Sequence, residues 1–89
     1  METSEARLKR MAMRSWRRGT KEMDLVLGPY ADTELAAMTL AALDAYDALL
    51  AENDQDLMAW MLGQKPAPAN HAPLVAVLRT YAATRLRAG

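Results

Sequence analysis

Arg17-Arg18-Gly19-Thr20-Lys21-Glu22-Met23-Asp24 is the stretch that most narrows what this chain can become. It joins a strongly basic segment to an acidic, apolar one, with a glycine where the chain must turn. Gly19 can enter the left-handed region without a steric penalty, which predicts the end of a helix there. Thr20 can then cap a second helix through its side chain. So many unlike charges around a flexible joint mark it as the expected working surface.

The charges of the whole chain are segregated in the same sense. Residues 1–21 carry seven basic side chains against Glu2 and Glu5, residues 22–56 carry nine acidic and no basic ones, and from Leu57 onward there are four basic and no acidic ones. Such blocks either pair within the fold or leave a basic face that steers an acidic partner. Both readings stand at this level.

A chain of 89 residues is expected to form one domain, residues 1–89, with a modest core and no deep pocket. Ala and Leu dominate while Val, Ile and Thr are sparse, which favours helix over strand. There is no cysteine, so disulfides and thiolate metal sites are excluded. His71 is the only histidine, which removes His-pair metal sites and disfavours a His-dependent triad. No apolar run approaches the roughly 20 residues of a membrane span, so no membrane insertion is expected. The N-terminus lacks the apolar core of a secretory signal, and a bacterial cytoplasmic protein is the simplest expectation.

Taken at about 100° per residue, a first helix capped by Thr3 or Ser4 places Leu8, Met11, Ala12, Ser15 and Trp16 on one side. Arg7, Arg10, Arg14, Arg17 and Arg18 gather on another. Arginine rather than lysine suits bidentate bonding to carboxylate or phosphate. In the second helix Met23, Val26, Leu27 and Tyr30 recur at core spacing, and Gly28-Pro29 is expected to bend or stop it. Thr39 opens a third helix to about Ala51, with Leu40, Leu43, Tyr46, Leu49 and Leu50 inward and Asp44, Asp47 and Glu52 outward.

Asp54 is expected to cap a short fourth helix carrying Leu57, Trp60 and Met61, which Gly63 ends. After a proline-containing loop, a last helix from about His71 to Leu86 presents Leu74, Val77, Leu78, Tyr81 and Ala82 to the core. It leaves Arg79, Arg85 and Arg87 exposed, and His71 reads as a surface residue. The expected architecture is all-α, a compact five-helix bundle. No nucleophile–base–orienter set, metal loop or glycine-rich phosphate cradle is recognisable, so the chain reads as a binding module and not as an enzyme.

The run from Arg17 to Leu25 resembles the R-G-x-x-E-x-D signature of the SdhE-type flavinylation factors, small assembly proteins for succinate dehydrogenase. The likeness continues through Gly28-Pro29-Tyr30-Ala31-Asp32 and Leu43-Asp44-Ala45-Tyr46, then at Leu49-Leu50, and at Asn53-Asp54-Gln55-Asp56-Leu57 with Trp60 and Gly63. It departs from the family pattern in the Ala-rich stretch Glu34 to Ala42. The resemblance implies binding to the flavoprotein subunit of succinate dehydrogenase, and in some bacteria of fumarate reductase. It also implies promotion of covalent FAD attachment to a histidine of that subunit, with no cofactor stably held by this chain.

Carried over residue by residue, the implied contact motif is Arg18, Gly19, Glu22 and Asp24. Local charge adds Arg14 and Arg17. Gly19 would let another backbone approach, Arg17 and Arg18 would pair with partner carboxylates, and Glu22 would accept hydrogen bonds. Gly19→Arg and Glu22→Ala are expected to leave the bundle folded and abolish flavinylation support. The free chain is expected to be monomeric. The rival readings are nucleic-acid binding through the arginine stripe, which zero net charge disfavours, an antitoxin-like regulator, and direct binding of free FAD.

Overall fold

Four caps, three threonines and one asparagine, set out most of the fold. In the computed structural model, which describes residues 2–88 and side chains as far as Thr84, α1 runs Ser4–Trp16 and α2 Lys21–Glu34. A single 3₁₀ turn, Leu35–Ala37, follows, then α3 at Leu40–Leu50, α4 at Asp54–Met61 and α5 at Ala72–Ala88. The hydroxyls of Thr3, Thr20 and Thr39 accept from the backbone N–H of Ala6, Met23 and Ala42, and Asn53 Oδ1 accepts from Asp56. Each satisfies a donor that a helix start leaves unpaired. Asn53 therefore caps α4, and Asp54, expected in that role, sits one residue inside and is used elsewhere.

The helical reading holds: there are five α-helices and no strand among the described residues. The Cα radius of gyration is 12.5 Å, close to the roughly 12 Å of a folded chain this long. The 3₁₀ turn falls within the Ala-rich stretch between α2 and α3.

The core gathers Met11 from α1, Met23, Leu27 and Tyr30 from α2, Leu43, Tyr46, Leu49 and Leu50 from α3, Leu57 and Trp60 from α4, and Val75 and Leu78 from α5. Tyr46 is fully buried at its centre, where its hydroxyl shares a hydrogen bond of 2.7 Å with Ser15 Oγ. Ser15 Oγ also donates to Met11 O, so this buried polar pair is satisfied. Burial raises the Tyr46 phenol to about 12, against the lowering effect of the Ser15 hydrogen bond.

The structure settles one open alternative and corrects four residue placements. Pro29 does not stop α2, which continues to Glu34. The carbonyl that its missing N–H would have bonded belongs to Leu25, which is exposed and can be hydrated. Trp16 is 42% exposed, lying over Gly28 with its indole N–H 3.2 Å from both carboxylate oxygens of Asp32. Leu40 and Val77 are exposed, and Val75 takes the core position on α5. His71 is buried, 3.2 Å from Glu52 Oε2 and beside the Trp60 ring. The last turn of α4 closes as foreseen, with Gly63 in the left-handed region at φ 74°. Arg79 is exposed, whereas the side chains of Arg85 and Arg87 lie outside the described residues.

Candidate partner-binding joint

The arginine stripe of α1 is largely consumed by the fold. Arg7 Nη2 lies 2.6 Å from Asp44 Oδ1, and Arg10 forms a two-pronged pair with Asp47 at 2.8 and 3.0 Å while also holding Glu2. Arg10, chiefly through its hydrogen bond, holds the carboxyls of both Asp47 and Glu2 below their ordinary values. The first two charge blocks therefore meet across the α1–α3 contact, so the internal-pairing reading describes most of the stripe.

Arg18 belongs to the same network. Its Nε donates to Asp54 Oδ1 at 2.8 Å, Nη1 to Leu50 O at 2.7 Å and Nη2 to Glu52 O at 2.6 Å. Only 8% of its side chain is exposed. The expectation of an outward Arg18 fails because three acceptors at the α3–α4 turn draw the guanidinium inward. A cation is favoured beside the carbonyl end of α3, and Asp54 is favoured at the N-terminal end of α4. Asp54 Oδ2 also accepts from the backbone N–H of Gly19.

Asp24 is likewise a brace, since its Oδ1 accepts from the Arg18 backbone N–H at 2.7 Å. The joint is thus held from the α2 side by Asp24 and from the α4 side by Asp54. Gly19 is not in the left-handed region. A Cβ there would collide with Asp54 Oδ2, so glycine is what lets that carboxylate come up to the main chain. Gly19 itself is exposed.

Four of the six expected contact residues remain on the surface: Arg14, Arg17, Gly19 and Glu22. Arg14 spends one nitrogen on Leu50 O at 3.2 Å. The side chains of Arg17 and Glu22 have no hydrogen-bond or ion-pair partner among the described residues. Met13, Arg14 and Arg17 border a shallow groove of about 370 Å³ along α1. The edge thus offers two guanidinium groups, an accessible stretch of backbone and one carboxylate, all recognition chemistry. No group of three or more His, Asp or Glu able to hold a metal occurs among the described residues. The single histidine is buried against Glu52.

Sequence reasoning missed Asp54 and the carbonyls of Leu50 and Glu52, which give the joint its shape. The available signal is Asp54 itself, inside the resembling stretch Asn53 to Leu57, but from the sequence its position predicts only a local cap. Spacing within one helix carries no information about an acceptor 36 residues away.

Fold and joint together define the class: a small all-α module with a braced, charged joint and an exposed edge of recognition groups. The family described as flavinator of succinate dehydrogenase matches residues 9–82, and the chain belongs to that family. A succinate dehydrogenase assembly factor 2, mitochondrial, of Mycosarcoma maydis is 39% identical over 71 residues, which is 80% of this chain and 30% of that protein. The FAD assembly factor SdhE of Legionella pneumophila (strain Lens) is 36% identical over 63 residues, 71% of this chain and 80% of its own length. The assembly factor 2 of Yarrowia lipolytica (strain CLIB 122 / E 150) is 36% identical over 91 residues, 97% of this chain and 63% of its own. The chain spans less than half the length of the Mycosarcoma maydis and Schizosaccharomyces pombe relatives, at 30% and 48%. No helix among the described residues is long and apolar enough to cross a membrane.

Proposed function

We propose that this chain binds the flavoprotein subunit of succinate dehydrogenase and promotes covalent attachment of FAD to it. The observation that carries the reading is family membership over residues 9–82, a span that contains the whole joint. Arg14, Arg17, Gly19 and Glu22 are the contact surface. Arg18 and Asp24 act from behind it by holding the Gly19 backbone in place. The flavin belongs to the partner, whose own groups carry out the linkage, and this chain acts by holding the subunit in a competent arrangement. It does so as a monomer, in the compartment where the subunit acquires its flavin, the cytoplasm in a bacterium.

The neutralised stripe disfavours the nucleic-acid reading, because Arg7, Arg10 and Arg18 already face carboxylates of their own chain. The test is complementation. A strain lacking this protein is given the wild-type gene or Glu22→Ala, and covalent flavin on the flavoprotein subunit is read by in-gel fluorescence. Restoration by wild type and its loss with Glu22→Ala are expected. Equal covalent flavin with and without the wild-type gene would overturn the reading.

A further inference from the structure

Where α2, α4 and α5 meet, a groove of about 660 Å³ opens on the surface, walled by Leu25, Val26, Met58, Met61, Leu62 and Ala82. Leu25 is 56% exposed and Leu62 60%, so large apolar side chains stand in water along one continuous strip. Covering such surface is favourable by roughly 25 cal/mol per Å². The two methionines supply adaptable walls, and alanine on α5 leaves room between them.

Two unlike charges line the same groove, Glu22 and Arg79. Neither has an ion-pair partner among the described residues, whereas Arg18, Glu52 and Asp54 nearby are all engaged. Glu22 lies one turn from the joint that is pinned to the start of α4, and the Arg79 guanidinium lies beside Gly63, just past the end of α4. The carboxylate and the guanidinium therefore stand toward opposite ends of α4, with the apolar strip between them.

We propose that this groove receives an amphipathic helix of the flavoprotein partner, apolar along one face, with a lysine or arginine against Glu22 and a carboxylate against Arg79. Seating an apolar helix face in a groove between helices is a general recognition mode, and the paired end charges set its direction. The inference rests on the function proposed above, because Glu22 belongs to both surfaces. It extends the contact from the joint to a second, apolar face.

The test measures affinity of the full chain for the purified flavoprotein subunit by isothermal titration calorimetry. Leu25→Asp, Leu62→Ser and Arg79→Glu are compared with wild type and with Leu40→Asp, a control on the exposed leucine of α3. Circular dichroism confirms that each is folded, and Leu62→Ser keeps the test informative if a charged variant is not. Each groove variant is expected to weaken binding at least tenfold, while Leu40→Asp stays within twofold of wild type. Groove variants that bind as wild type does, while Glu22→Ala does not, would overturn the groove and leave the proposed function standing. A wild-type chain that fails to bind the subunit removes both. Sedimentation showing a wild-type dimer that Leu62→Ser dissolves would assign the groove to a second copy of this chain and overturn the proposal.

Discussion

The guanidinium of Arg18 and the carboxylate of Asp54 meet at 2.8 Å across 36 residues of sequence, and the same carboxylate accepts from the Gly19 backbone. One acidic side chain therefore ties both the side chain and the main chain of the joint to α4. Arg18→Ala should destabilise the fold by about 2–3 kcal/mol, because it strands Asp54 and two turn carbonyls. Arg18→Lys should recover only part of this, since one ammonium cannot reproduce the planar fork. Urea unfolding checks both, and an Arg18→Ala midpoint equal to wild type would contradict the bracing role.

Gly19 and Glu22 should separate stability from function. Gly19→Ala forces Asp54 away and should cost about 1–2 kcal/mol, through the lost N–H···Oδ2 bond. Gly19→Arg should lose stability for the same reason while the bundle stays folded, and it should also cover the exposed edge. Glu22→Ala should change stability by no more than about 0.5 kcal/mol, as for other exposed sites without partners. Thermal unfolding run beside the flavinylation assay distinguishes the two.

Alkaline pH should expose the buried Tyr46–Ser15 pair. The phenol keeps its proton in the fold until about 12, against an ordinary 10.0. The unfolded chain gives up that proton first, so stability is intact below pH 10 and falls as the pH climbs from 10 to 12. Tyr46→Phe should flatten this slope in denaturant titrations across that range. An unchanged slope would show that Tyr46 does not set it.

Acid should act through Asp47. Arg10 lowers its carboxyl below the ordinary value, so the stabilisation is present above the unfolded carboxylate value of about 3.9 and is lost as pH falls through the folded one. Asp47→Asn should be less stable than wild type at neutral pH, and the two should converge in acid. Salt should narrow the neutral-pH difference, since the pair is partly exposed. A gap that stays constant down to low pH would rule out the ionic contribution.

Element order and most caps were readable because they are local. Thr20 and Thr39 stand just before apolar-periodic runs, and Gly63 ends one. The site residues divided along a different line. Arg14, Arg17 and Glu22 are exposed, as contact residues must be, but a helical wheel cannot say whether a polar group meets solvent or a neighbour in the fold, and so it cannot set Arg18 and Asp24 apart from them. His71 fails for the same reason, since its partner Glu52 lies 19 residues away. Pro29 left two outcomes open, bend or stop, and sequence alone could not show that the freed carbonyl belongs to Leu25, an exposed residue, so that the helix continues.

Two backbone tethers, Asp24 on the Arg18 N–H and Asp54 on the Gly19 N–H, fix the main chain of the joint before any partner arrives. A contact made there would spend little conformational entropy on ordering this edge, so more of its interaction energy would appear as affinity.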